Sequence, residues 1–251
     1  MNALTIASKD QFFEQLAEAF ADKLAKTEAR KVVEFAKQHY AHSPLEELVS
    51  RRFSDTYGAV LAAWQFLQKR SAEETPVTVF NPDLESDGWQ STHSVIFILH
   101  PNIPFLIDSL RMAINRREIG THSIQHSILQ VERDGNGKLK KLHSAKKSPA
   151  ASYEALIVLE IDRHSDPADL RGLEETLQSV LHEVRIAVDD FPIVKDKVSE
   201  ILGELDATTA GISEEDKEEA RAFLGWLTED HFTFLGYDEY DFVKDRQGMA
   251  V

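Results

Sequence analysis

Through the first seventy positions, apolar residues recur at three- and four-residue steps. Beyond them they gather into short alternating or continuous runs, so the chain reads as helices first and as mixed strands and helices second. Phe12, Phe13, Leu16, Phe20 and Leu24 fall on one face of a first helix, opened by Ser8 and Gln11 at capping-box spacing. A second helix is expected from about Glu28, with Val32, Val33, Phe35 and Ala36 inward. Ser43-Pro44-Leu45-Glu46 supplies a cap, a proline at the first helical position and a glutamate at the third, a start signal for a third helix. A last helix carries Tyr57, Val60, Leu61, Trp64 and Leu67. The aromatic stripe of this block reads as core packing.

The pattern changes at Thr75-Pro76. Val77–Phe80 is β-branched and aromatic and is stopped by Asn81-Pro82. Ser94–Leu99 is a continuous apolar run of strand length, suited to a strand buried on both faces. A helix with Leu106, Ile107, Leu110, Ala113 and Ile114 on one side follows and is expected to end at Gly120. Residues 123–133 return as a strand, Asp134-Gly135-Asn136-Gly137 is a hairpin turn, and Lys138 to about His143 pairs back as a lysine-rich edge. Tyr153–Ile161 is a second central strand. Asp166-Pro167 opens a helix that Pro192 is expected to interrupt, with a further helix beyond it. From residue 93 the reading is an α+β arrangement with helices on one face of a mixed sheet.

Asp206–Gly211 reads as a linker, Ser213 with Asp216 caps a helix bearing Phe223, Leu224, Trp226 and Leu227, and Phe232–Tyr237 reads as a strand. One helix and one strand cannot make a core, so the chain is expected to be a fragment that stops near the first strand of a further domain. Three parts result: a helical block over 1–72, an α+β module over 73–205, and a linker with the opening of a second module over 206–251.

Composition narrows the function. The 251 residues carry a net charge of −15, which repels nucleic-acid backbones and anionic membrane surfaces. The absence of cysteine excludes disulfides, thiol nucleophiles and Cys-based metal sites. No signal peptide and no apolar run of spanning length is visible, so a cytoplasmic protein is expected. His122 and His126 are four apart on an expected strand, roughly 13 Å, too far to share a metal ion. His93 and His100, seven apart, point to opposite faces of a regular strand. Gly135-Asn136-Gly137 lacks the third glycine and the helix of a dinucleotide loop. No Walker loop, nucleophile elbow or His-Glu-x-x-His occurs.

Three segments, Pro104–Met112, Glu160-Ile161-Asp162-Arg163, and Trp226-Leu227 with Phe232–Tyr237, resemble the N-terminal region of the large bacterial NAD-specific glutamate dehydrogenases in order and spacing. The resemblance implies a helical N-terminus, a first ACT-like (ferredoxin-like βαββαβ) module with added strands, and the start of a second module. NAD and the catalytic lysine would belong to distant parts of the parent chain. The usual ACT ligand loop resembles Asp/Asn-x-Pro-Gly-x-Leu, and here Asn102 and Pro104 fit while Phe105 stands in place of the glycine. An amino-acid effector would meet the free amides at the following helix start with its carboxylate, and Asp108 and Ser109 with its ammonium. Arg111 is a nearby guanidinium for an acidic neighbour or another module.

The leading expectation is a non-catalytic regulatory and assembly segment, whose parent oxidatively deaminates L-glutamate to 2-oxoglutarate and ammonia. Its partners would be the remaining regulatory and catalytic domains of the same chain, a second copy in a homo-oligomer, and an amino-acid effector. The alternative is a stand-alone amino-acid-sensing or protein-interaction module.

Overall fold

The computed structural model describes residues 6–144, 151–207 and 211–240. Four helices come first: α1 (Lys9–Lys23), α2 (Lys26–His39), α3 (Leu45–Ser50) and α4 (Phe53–Leu67). The Ser8 hydroxyl accepts from the Gln11 amide at 3.3 Å, while Gln11 Oε1 takes the amide of Ala7 at 2.8 Å. The start of α3 differs from expectation. Pro44, not Ser43, occupies the cap position, and no side chain caps the helix. Ser43 is buried, and its hydroxyl donates to Gln125 Oε1 at 2.6 Å, a long-range acceptor that wins over the first helical amides.

Five strands follow: β1 (Val77–Phe80), β2 (Ser94–Pro101), β3 (Thr121–Arg133), β4 (Leu139–His143) and β5 (Ser152–Ile161). They form one sheet in the order β1-β2-β5-β3-β4, and every pairing is antiparallel, which corrects the expected mixed sheet. Helix α5 (Leu106–Arg116) connects β2 to β3 with β5 inserted between them, so β2 and β3 run the same way without touching. The Asp134–Gly137 turn forms as expected. Its glycine is required, because Gly137 sits at φ +78° and a Cβ there would lie 2.4 Å from the Arg70 carbonyl. Gly120 does not end α5. Glu118, at φ 59°, takes the left-handed position instead, two residues earlier.

The helices beyond residue 93 share one face of the sheet, as expected, and the helical block takes the other. Val95, Phe97 and Leu99 on β2 share one core with Phe12, Leu16, Phe20, Val32, Phe35 and Trp64 of the helical block. Ile96 and Ile98 alternate with them and are as deeply buried, as are Ile157 and Leu159 on β5. Those residues form the opposite face, toward which α5 and the first turns of α6 (Pro167–Ala207) bury Leu110, Ile114, Leu173 and Leu177. Arg117 fastens the end of α5 to Gly172 and Thr176 on α6, and Glu174 accepts the outward amide of Val79 at 3.1 Å, closing part of the β1 edge. The sheet therefore has helices on both faces.

Residues Met1–His182 form one compact unit and Glu183–Val251 a second. The boundary falls inside α6. Pro192 does not break that helix; a proline forfeits one backbone bond, and the turns on either side carry the helix through. In the second unit, Ser213 caps α7 (Glu214–Trp226) by accepting the Asp216 amide at 3.1 Å. A π-helical turn, Leu227–His231, follows. The expected strand at Phe232–Tyr237 is not formed. Its pattern is strand-like, but a strand exists only against a partner.

The helical block is locked to the sheet by a buried ion triad. Glu154 on β5 is fully buried and takes bonds from Arg70 Nε (3.0 Å) and Nη2 (2.9 Å) and from Arg133 Nε (2.8 Å) and Nη2 (2.6 Å). Arg133 also reaches the carbonyls of Gly137 and Leu67, and Arg70 those of Ser71, Ala72 and Glu74. Burial alone would raise the Glu154 carboxyl, but the two guanidiniums outweigh it and hold it below its ordinary value. Glu154→Gln leaves two buried cations without their counter-ion and is expected to cost about 3–5 kcal/mol, read as a lowered urea midpoint. Because this carboxyl is depressed in the fold, its contribution is full above the ordinary carboxylate range and fades as pH falls through the depressed value. An unchanged midpoint in the glutamine variant would show that the triad is not holding the two layers together.

Candidate functional site

The residues expected to meet an effector lie together at the amino end of α5. Asn102 leaves β2 with its amide bonded to the Tyr153 carbonyl at 2.9 Å, and Pro104 is exposed. Phe105 occupies the cap position at φ 69° and ψ 0°, the left-handed conformation that glycine adopts freely, with its ring 51% exposed. The backbone thus keeps the form a glycine would give it, at a strain of roughly 1–2 kcal/mol for a side-chain-bearing residue. No side chain caps α5. Asp108 and Arg111 are exposed and Ser109 is half-buried, with its amide bonded to the Phe105 carbonyl. The six residues share one surface, and none of them lines the clefts of about 540 and 470 Å³.

A denser polar cluster, which sequence spacing does not reveal, lies where the helical block meets the sheet. Arg51, just beyond α3, grips Glu160 on β5 with both nitrogens, at 2.5 and 2.8 Å. Burial would lower the Arg51 guanidinium, but the Glu160 hydrogen bonds and charge outweigh it and raise it. His93 approaches the same carboxylate at 3.8 Å and stacks on His122 with centroids 4.1 Å apart. His122 meets Asp162 at 2.8 Å, and Asp162 also accepts the Gly120 amide at 2.7 Å. The His122 and Gly120 bonds pull the Asp162 carboxyl below its usual range. Two histidines 29 residues apart are thereby brought together by strand pairing. Arg163 donates to the Ser91 carbonyl, so three polar members of Glu160-Ile161-Asp162-Arg163 tie β5 to its surroundings. Among the described residues, no group of three or more His, Asp or Glu is arranged to hold a metal ion.

Deeper in the same junction, His39 Nδ1 lies 2.7 Å from Ser127 Oγ. The pair has the composition of a nucleophile and its base, but both residues are buried, at 2% and 5% exposure, and Ser127 Oγ also donates to the Leu156 carbonyl. It fastens α2 to β3 and has no access to a substrate. Burial lowers the His39 imidazole to about 3, and burial pushes the neighbouring Tyr40 phenol up to about 12. A dinucleotide has no cradle in the Asp134–Gly137 turn either. The Gly137 carbonyl accepts from Arg70 and Arg133, and its amide bonds to Asp134, so the backbone that would face a pyrophosphate is spent on the hairpin. That turn does not fit the pyrophosphate of NAD.

The family described as glutamate dehydrogenase, ACT1 domain, matches residues 35–177. The chain is 45% identical over 236 residues to an NAD-specific glutamate dehydrogenase of Halomonas elongata, covering 93% of this chain and 15% of that protein. It is 41% identical over 249 residues to the NAD-specific glutamate dehydrogenase of Pseudomonas aeruginosa, covering 99% of this chain and again 15% of the relative. One from Mycobacterium tuberculosis is 25% identical over 198 residues, covering 76% of this chain and 12% of the relative. The chain spans about 15% of the length of the first two relatives. No helix among the described residues is long and apolar enough to cross a membrane.

Two predictions test this geometry. Phe105→Gly relieves left-handed strain at the entropic cost of a glycine, so its stability is expected within about 1 kcal/mol of the parent, whereas Phe105→Val, β-branched, is expected to lose about 1–2 kcal/mol or more. A larger loss for glycine than for valine in urea unfolding would mean that ring packing, not backbone conformation, decides the site. His39 is neutral in the fold while its unfolded form protonates near 6.5, so stability is full above that value and is lost as pH falls from 6.5 toward about 3. His39→Asn is expected to flatten that slope in a pH series of denaturant midpoints; an unaltered slope would assign it to other groups.

Proposed function

This chain belongs to the family defined by the glutamate dehydrogenase ACT1 domain, and on that premise we propose that it is the regulatory and assembly segment of an NAD-dependent glutamate dehydrogenase. The observation that carries the reading is the asymmetry of coverage. Relatives more than 40% identical follow this chain along 93–99% of its length and yet are built mostly of something else. The parent, on this reading, oxidises L-glutamate to 2-oxoglutarate and ammonia in the cytoplasm, with NAD held in its other domains. On the same reading the described residues bind neighbouring domains and copies.

In the same reading the sheet is a ferredoxin-like unit with a substituted edge. A βαββαβ unit closes with a strand placed after its second helix and beside its first strand. Here that place, next to β2, is held by β1, which comes earlier in the chain. Residues 206–251 open a second ACT-like module, and Phe232–Tyr237 is the segment that becomes its strand when the pairing partner is supplied. Contact with other copies runs through outer helical faces and not through β4, whose exposed Lys140 and Lys141 would face each other across a symmetric edge pairing.

One observation favours the alternative, an amino-acid-sensing module. The loop of Asn102, Pro104 and Phe105 keeps a glycine-like backbone at an uncapped helix start, with Asp108, Ser109 and Arg111 one turn on, which suits a carboxylate and an ammonium. The deciding experiment compares this chain, the protein encoded by the full reading frame, and that protein lacking residues 1–251. The expected result is glutamate-dependent NADH formation by the full protein, none by the chain alone, and altered oligomeric state or effector response after the deletion. NADH formation by the purified chain would overturn the reading.

A further inference from the structure

We propose that the free edge of β4, with the basic cleft beside it, receives an acidic extended segment of a partner polypeptide as an added strand. This rests on the assembly reading only in closing that edge to a second copy. Its test reads binding and not dehydrogenase activity, so either can fail alone.

Strand β4 ends the sheet, and β3 pairs with it on its inner side. From outside only its start is met: Lys69 bridges Lys138, and the Leu139 amide donates to the Gln68 carbonyl at 2.8 Å. Beyond Leu139 no strand lies along it among the described residues, so its outward backbone groups are a template for one more. The other end of the sheet is not equivalent, because Glu174 occupies the outward amide of Val79 on β1.

A cleft of about 470 Å³ adjoins this edge. Its lining holds four cations, Arg30 and Lys31 on α2 with Lys140 and Lys141 on β4, against one carboxylate, Glu34, which accepts from Gln38. All four cations are exposed. Lys31 and Lys140 meet Glu28 and Glu132 in exposed pairs, which hold weakly and exchange for another carboxylate. Arg30 and Lys141 make no ion pair among the described residues. Trp64 and Leu142 add apolar surface to the same lining. The gathering of cations is out of character for a chain of net charge −15.

Edge and cleft together select one kind of partner. Lysine set opposite lysine disfavours a second copy, whereas glutamate or aspartate at the same places is attracted. The open backbone is matched by another peptide backbone and by nothing else. A phosphate polymer would answer the lysines and leave the edge bare, and the charge of the whole chain repels a long polyanion. An apolar side chain between the partner's carboxylates would rest on Trp64 and Leu142.

The test titrates the chain with a capped peptide of alternating glutamate and valine, with the same peptide N-methylated throughout, and with inorganic polyphosphate. The expected result is saturable binding of the first peptide in calorimetry, weakened by added salt, with slowed hydrogen exchange at the β4 amides. The N-methylated peptide keeps the charge, cannot pair as a strand, and is expected not to bind. Replacing both exposed lysines, Lys140→Gln with Lys141→Gln, is expected to weaken binding about tenfold or more while the urea midpoint stays near that of the parent. No binding, equal binding of the N-methylated peptide or of polyphosphate, or an affinity unaltered in the double variant would each overturn the proposal. So would self-association in sedimentation that the double variant abolishes, which would give the edge to a second copy.

Discussion

The charge of Glu154, placed where water does not reach, is the constraint on which the rest of unit Met1–His182 depends. A carboxylate at zero exposure is tolerated only when its lone pairs are taken and its charge is met. The chain meets it twice, with Arg70 from the tail of α4 and Arg133 from the end of β3. Each arginine spends its remaining hydrogens on backbone carbonyls of the α4 exit and of the hairpin. Three segments far apart in sequence thus have one geometry in which all these groups are paired. A slip of β3 against β5 by one residue would turn Arg133 to the other face and leave the carboxylate buried with half its partners. The triad fixes register as much as it adds stability.

The same junction explains why the helical block and the sheet form one unit. Phe35, Trp64 and Leu67 share a core with Phe97, Leu99 and Leu156, which is adhesive but undirected. Direction comes from the polar ties around it: Arg51 to Glu160, Ser43 to Gln125, His39 to Ser127 and Arg70 to Glu154. Each pairs a helical-block residue with a strand residue, and together they ring the apolar contact. An effector or a neighbouring domain that moved the helical block would have to break several of them at once. Displacing the helical block against the sheet therefore breaks these ties together and not one at a time.

Local chemistry was legible in the sequence and long-range chemistry was not. Val77–Phe80, the Asp134–Gly137 turn and the caps at Ser8 and Ser213 are fixed by neighbours within a few residues, and the structure reproduces them. Pro44 and Phe232–Tyr237 show where local signals fail, since a buried hydroxyl found a distant amide in one case and a strand lacked a partner in the other. The Arg51–Glu160 pair joins residues 109 apart, and no spacing announces it. What the sequence does offer is an anomaly, a charged residue inside or at the end of an apolar run, as at Glu154 and Glu160. For the α5 loop, the Asn-x-Pro pattern located the turn. That a phenylalanine there would adopt the left-handed conformation follows only from the geometry of the helix start.

The edge position of β1 carries a consequence for synthesis on the ribosome. Because the strand beside β2 comes from upstream, all five strands of the sheet have been translated once residue 161 is added. The nascent sheet need not wait for a closing strand from downstream, as a unit closed at its carboxyl end must. What arrives later is protection: Glu174, the residue that occupies the outward amide of Val79, lies on α6. During the interval between β5 and α6 the β1 edge is complete but bare. That is the moment at which a neighbouring nascent chain on the same polysome has its best opportunity to pair with it.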